Sequence, residues 1–369
     1  MTTSTPARPA QDWVPGRGMR KFTAVAGVSL LGFTVLVMFL MPLGYVTLTA
    51  FKTTRQIIDA NSQFLPSSPV NYTYEGAEYP LYKVPTENGI RELALVKKLR
   101  TRSGGVSVYE STFVDPANLQ AGLIKTDLNW FTLEPVYRFD PSFENFPASW
   151  NQVNLGRLLL NTLIIAVVGT IGTLLSSIAV AYGFARFNFP GVNIIFLVLI
   201  STIILPKEVT LIPTYVFWRT VSGALDLGVT WLPLIVPHFF ANAYNVFLLR
   251  QYFRSIPRDL DEAAEIDGAT PLQTLLYVIL PQSVPALMAV GLFHFFFAWN
   301  DFFEPLVYLS GREDLATISI GMTQFNNIFA SQPGLAMAAS LMALALPVTL
   351  FFLAQRVFMQ GIIITGVEK

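Results

Sequence analysis

Whole blocks of this chain carry no charged residue, among them thirty residues over 22–51 and twenty-eight over 158–185. A helix needs roughly 20 apolar residues to cross the hydrocarbon core of a bilayer, so each block is long enough to span one. Of the 369 residues only 13% are charged and 53% are hydrophobic, whereas a soluble domain carries about 25% charged residues. In hydrocarbon every backbone polar group needs an internal partner, so blocks of this kind fold as helices. The sequence predicts an all-α polytopic membrane protein with six transmembrane helices, over 22–51, 158–185, 190–216, 229–249, 282–309 and 335–355. Residues 1–21 form a polar, basic tail, and the apolar run after it is about twice the length of a signal-peptide core. It is therefore expected to stay as the first span.

Lys and Arg set the orientation of such a chain. Outside the long 52–155 segment there are fourteen of them. With a cytoplasmic N-terminus ten fall inside, among them Arg17, Arg20, Arg186, Arg250, Arg254 and Arg258, and four outside: Arg157, Lys207, Arg219 and Arg312. Both termini are thus expected in the cytoplasm. A net charge of zero gives no footprint for nucleic acid, and the absence of cysteine excludes disulfides, thiolate metal sites and cysteine nucleophiles. His238 and His294, the two histidines, are too few for a histidine-rich metal site and read as hydrogen-bonded packing residues. No metal, cofactor or catalytic residue is expected in the chain.

Residues 52–155 hold ten basic and eleven acidic side chains and read as an extracytoplasmic loop. In Val106–Val114, VSVYESTFV, Val106, Val108, Thr112 and Val114 share one face, opposite Tyr109 and Phe113. Gly104 and Gly105 mark a turn before it. A small β-rich subdomain over about 70–138 is expected, serving either to dock a soluble partner or as a stabilising cap.

The densest acidic run lies in the five-helix core assigned to 156–369, within the loop 255–281, which reads RDLDEAAEIDGATPLQTLLYVILP over 258–281. Ser255 is expected to cap a short helix running to Ile266, with Pro257 in its first turn. Gly268 offers the permissive backbone of a helix stop. Thr270, Pro271 and Gln273 have the spacing of a capping box that starts a second helix. Asp259, Asp261, Glu262, Glu265 and Asp267 crowd the first helix, while Ala263 and Ala264 leave part of its surface nearly bare. Such a helix either lies in the groove of another protein with a basic rim, or is a solvated connector with Arg258 paired to Glu262 at the i,i+4 spacing.

These residues carry a resemblance. Glu262-Ala263-Ala264, then Gly268, then Val278-Ile279-Leu280-Pro281 resemble the coupling loop of inner-membrane permeases of binding-protein-dependent ABC importers, with Val278 in place of the usual isoleucine. AWNDFFEPL at 298–306 and LPVTLFFLAQRVFMQGIIITGVEK at the C-terminus resemble the carbohydrate-importer branch, the maltose type. The resemblance covers 156–369 and the first span, and leaves 70–138 unexplained. It implies half of a translocation pore for a sugar or oligosaccharide, a sister permease, two ATPase subunits that bind ATP and Mg²⁺, and an external substrate-binding protein. It also implies that the helix of 257–266 couples to the ATPase, through Glu262, Ala263, Ala264, Glu265, Asp267, Gly268 and Ala269. Of these acids Glu262 is the first candidate to meet a basic groove residue and Asp267 the second. The chain lacks a GxxxxGK[ST] phosphate loop, so hydrolysis is expected in a partner.

Near the outer half of the fifth span stand Trp299, Asn300, Asp301 and Glu304. Ionisable groups at membrane depth usually face a cavity or a partner. Carboxylates and amides bind sugar hydroxyls, and Trp299 or Phe295–Phe297 offers a stacking face, so these residues are candidates for the substrate pathway. The competing assignment pairs the acids with polar groups of a partner subunit. Lys207 and Glu208, just after Pro206, read as a local pair. Two rival functions are weaker. A secondary transporter would show repeated halves with matching broken helices and would leave the acidic loop unexplained; a sensor or scaffold with an external β domain is the other alternative.

Overall fold

The computed structural model describes residues 17–59, 61–86, 89–103, 106–327 and 330–366. The charge-free blocks fold as helices, as their composition requires. Among the described residues, four segments are long and apolar enough to cross a membrane: Val25–Ala50, Leu155–Arg186, Leu232–Ser255 and Pro333–Gln355. Two further candidates are helix pairs bent at a break, Val192–Ile204 with Lys207–Ala224 at 97° and Pro271–Gln282 with Val284–Trp299 at 82°. The molecule is mostly helical, with four to six candidate spans according to how each bent pair crosses.

Both bends sit beside prolines, Pro206 at the first and Pro281 and Pro285 at the second. Pro206 pushes Leu205 out of the helical region, to φ −70° and ψ 118°, so the span expected over 190–216 divides there. The span expected over 282–309 also divides: Val284–Trp299 stops at Asn300, and a short helix, Phe303–Tyr308, follows. An unbroken helix would need the Pro305 nitrogen to donate to the Asp301 carbonyl, and proline has no N–H to give. Ser319 supplies the missing donor instead, its hydroxyl reaching the Asp301 carbonyl at 2.6 Å. Before the second bend the backbone passes through a π turn, Leu275–Ile279. Pro281 follows it, and a widened turn is the usual way a helix accommodates an inserted ring.

Helix Leu155–Arg186 is the axis of the bundle and packs against Val284–Trp299, Ala243–Ser255 and the short turn Val236–Phe239. Two glycines allow the last of these contacts. A Cβ at Gly172 would stand 2.6 Å from the Phe239 ring, and one at Gly169 would stand 2.7 Å from the His238 ring. Small residues are what let backbones approach in a bilayer, where no hydrophobic effect drives helices together. A polar hub closes this junction. His294 Nε2 lies 3.1 Å from His238 Nδ1 and 3.0 Å from Thr173 Oγ1, while its Nδ1 lies 3.4 Å from Asn245 Nδ2. The two histidines thus sit in a hydrogen-bonded packing network, in line with their reading as packing residues.

Between the first and second long helices lies a six-stranded antiparallel sheet. Strands Asn71–Tyr74, Ala77–Thr86, Gly89–Ser103, Val106–Val114 and Leu123–Thr126 follow one another as a meander, and Glu134–Pro135 pairs back onto the second of them. These strands fall within the stretch 70–138 that reads as β-rich. Its strands bury both faces. Phe113 packs with Val84, Leu93 and Leu95 on one side, and Leu81, Ala94 and Val136 form a smaller cluster on the other. In Val106–Val114, Phe113 and its neighbour Val114, which face opposite sides of the strand, are both buried. Gly104 and Gly105 lie outside the described residues.

Hydrogen bonds join the segments that flank the sheet to one another and to the end of the first helix. Asn145 Nδ2 donates to the carbonyls of Ala50 and Lys52, both at 2.8 Å, where the first helix ends. Gln56 donates to Ser68 Oγ and to the Asp140 carbonyl, each at 2.9 Å. Tyr137 donates its hydroxyl to Asp59 at 2.7 Å. Burial, then the Asp59 carboxylate beside it, push this phenol up to about 12, so the bond survives any physiological pH.

Candidate functional site

Two places gather the chemistry. The first is the loop between Ala243–Ser255 and the second bent pair. Ser255 does not start the short helix; its hydroxyl bonds the Tyr252 carbonyl at 2.7 Å and closes the helix before. The new helix is Asp259–Ile266, with Arg258 at its N-cap position and Asp259, Asp261 and Glu262 in the first turn. Their charges complement the positive end of the helix dipole, so they replace a capping side chain.

The helix stops as its residues dictate. Gly268 adopts φ +80°. Its N–H bonds the Glu265 carbonyl at 3.0 Å, and the Ala269 N–H bonds the Ala264 carbonyl at 2.9 Å. These are the two bonds of a Schellman stop. Thr270 and Gln273 then form the reciprocal capping box of the next helix, Pro271–Thr274. The direction of the chain is thus fixed by backbone geometry on both sides of the glycine.

The short helix is also held sideways. Arg186, buried at the end of the axial helix, places Nη2 3.2 Å from Asp261 Oδ2 and donates to the Ile256 carbonyl at 3.1 Å. Tyr182 donates to the Pro271 carbonyl at 3.0 Å. The ion pair of this loop is therefore Arg186 with Asp261; among the described residues none joins Arg258 to Glu262. Of the candidate coupling residues, Glu262, Ala263, Glu265, Asp267 and Gly268 are exposed, while Ala264 and Ala269 are half-buried against the chain's own bundle. Beside them three large apolar side chains stand in the open: Ile266 at 85%, Tyr277 at 77% and Leu272 at 63% exposure. Sequence reasoning passed over these three because they continue the apolar pattern of the neighbouring span.

The second place is a cavity of about 690 Å³ where the two bent pairs face each other. Asn300, Asp301 and Glu304 line it, as do Phe296 and Phe297. Trp299 does not. It is buried at 4% exposure, stacked 5.7 Å from Phe295 and packed in the bundle core, because one helical step turns it away from the cavity side. Lys207 does not pair with its neighbour Glu208. Its Nζ crosses the cavity to Glu304 Oε1 at 3.2 Å and stands 3.9 Å above the Phe297 ring. Tyr308 donates to Thr214 at 3.0 Å across the same gap. Lys207, Thr214, Trp218 and Tyr308 are cavity residues that sequence reasoning missed. For Lys207 the signal existed, an ammonium set in an apolar span. The arrangement offers hydroxyls, an amide, carboxylates and aromatic faces, a set suited to a polyhydroxylated ligand.

The fold has known counterparts. A crystal structure of a bacterial ABC transporter involved in the import of the acidic polysaccharide alginate superposes with a TM-score of 0.61 at 19% identity, over 93% of this chain and 98% of that one, which speaks to the fold alone. The osmoprotective compounds uptake permease protein GgtD of Synechocystis sp. is 34% identical over 219 residues, 58% of this chain and 71% of that one. The sn-glycerol-3-phosphate transport system permease protein UgpE of Pectobacterium atrosepticum is 32% identical over 222 residues, 58% of this chain and 74% of that one. Residues 172–364, which include both bent pairs and the glycine-stopped loop, match the family of the binding-protein-dependent transport system inner membrane component, and the chain belongs to that family.

Proposed function

We propose that this permease forms half of the translocation pathway for a sugar or oligosaccharide, beside a sister permease, in a multi-pass arrangement with both termini cytoplasmic. Two ATPase subunits, holding ATP and Mg²⁺, sit beneath it, and an external substrate-binding protein delivers the ligand. The helix Asp259–Ile266 is the coupling element: Glu262 and Asp267 meet a basic rim of the ATPase groove, and the exposed Ile266, Leu272 and Tyr277 enter its apolar floor. Movement of the groove then passes through the Arg186–Asp261 contact into the axial helix, and the bent pairs around the cavity open and close with it.

The observation that carries this reading is the loop itself: a short helix with exposed acids and apolar tips, fixed at both ends and pinned to the longest span. A helix held so firmly transmits displacement instead of absorbing it. The sugar assignment has separate support. The cavity offers hydroxyls, an amide, carboxylates and aromatic faces, the groups that bind the hydroxyls and apolar faces of a sugar. Purification of the assembled complex with its partners, followed by substrate-stimulated ATPase assays against a panel of sugars, tests both parts. Stimulation by at least one saccharide is expected; a complex stimulated only by amino acids or peptides would contradict the sugar reading.

A further inference from the structure

The cavity between the bent pairs holds an unequal set of charges. Three carboxylates line it, Glu208, Asp301 and Glu304, against a single ammonium, Lys207. That ammonium is already committed. It bonds Glu304 at 3.2 Å and rests over the Phe297 ring at 3.9 Å, so its charge is shared between a carboxylate and an aromatic face. Among the described residues, Glu208 and Asp301 are in no ion pair. The wall this chain contributes therefore presents two uncompensated acids, in a cleft whose remaining surface is largely aromatic. Low-dielectric walls focus such a field onto whatever enters.

We infer that this cavity selects against anions and takes an uncharged polyhydroxyl ligand: a neutral sugar or polyol, not a sugar phosphate, uronic acid or other carboxylated saccharide. An anionic ligand would have to be recognised by a free cation, usually an arginine fork or an unpaired lysine. Lys207 is not free, and releasing it would leave Glu304 as a third bare acid. A neutral ligand meets no such penalty. Its hydroxyls can donate to Asp301, Glu304 and the Asn300 amide oxygen, while Phe296 and Phe297 cover its apolar faces. The inference rests on the reading of this cavity as the pathway, and names the class of ligand that pathway admits.

The chain has no cysteine, so the field can be measured at a chosen point. Leu211, a cavity residue, is replaced by cysteine in the assembled complex, with Thr210→Cys as a second position should the first fail to fold. Labelling of this chain by size-matched cationic and anionic methanethiosulfonates is followed by mass spectrometry, each rate divided by that for a free thiol. The cationic reagent is expected to react faster by a factor on the order of tenfold or more. Adding Glu208→Gln and Asp301→Asn should bring the ratio towards one, and Lys207→Met should raise it. Equal rates, or faster reaction of the anionic reagent, would overturn the inference. Uptake by the labelled complex is a separate readout. Full uptake with the cavity blocked would refute the pathway reading while leaving the measured charge selection in place.

Discussion

Replacing Gly268 with proline is expected to abolish uptake and to separate ATP hydrolysis from transport, while the protein still inserts and assembles. Gly268 sits at φ +80°, and proline is locked near −65°, so the turn cannot form around it. Proline also removes the N–H that bonds the Glu265 carbonyl. The stop is lost, and with it the fixed angle between Asp259–Ile266 and Pro271–Thr274. No Cβ at this position would touch anything within 4 Å, so the defect is one of backbone direction and not of packing. Uptake in vesicles should fall by about a hundredfold or more, since a misplaced element about 1 Å out of position already costs on that order in a mechanism that depends on alignment. Glu262→Lys, which reverses an exposed charge without touching the backbone, should give the same loss. Wild-type uptake in both variants would remove the coupling role from this loop.

The second large effect concerns the link to the bundle. Arg186 is 7% exposed and Asp261 23%, at 3.2 Å. Removing one partner of a largely buried pair leaves the other charge without compensation, at about 2–3 kcal/mol for a site that water still reaches. Arg186→Glu sets two acids against each other; Asp261→Arg does the same with two cations. Each single variant is expected to lower uptake to below about a tenth, the fold-change equivalent of 1.4 kcal/mol. The double variant, with the charges exchanged, should recover most of what either single one loses. Equal loss in the double and single variants would mean that the pair does no mechanical coupling, and that the Arg186 bond to the Ile256 carbonyl alone matters.

What could be read in the sequence was local. The glycine stop and the Thr270–Gln273 box are set by residues within four positions of each other, so their chemistry is visible without a fold. The six strands were likewise legible as a β-rich stretch, because apolar and turn residues alternate over short distances. The breaks at 205–206 and 300–302 were not. Pro206 and Pro305 mark them, yet a bilayer helix often keeps its course through a proline when a neighbour satisfies the freed carbonyl. At Asp301 that neighbour is Ser319, eighteen residues on, and its bond stabilises the break. Lys207 shows the same limit. Glu208 and Glu304 are equivalent acids on paper, and only the bend of 97° between the two helices carries the ammonium to the one 97 residues away. Trp299 was misplaced for a related reason. Helical phase separates it from Asn300 by one step, but which side holds the core depends on where the axial helix lies, and no short-range pattern states that.

The account turns on a short helix that seats in a separate motor. With no native cysteine in the chain, Ala263→Cys, at an exposed position of Asp259–Ile266, gives one cross-linking site in native membranes. A short bifunctional reagent is expected to capture a subunit that binds and hydrolyses ATP, with a yield that changes when hydrolysis is trapped. If no nucleotide-hydrolysing chain is captured, while the protein is inserted and uptake is intact, the helix does not couple this permease to its energy source.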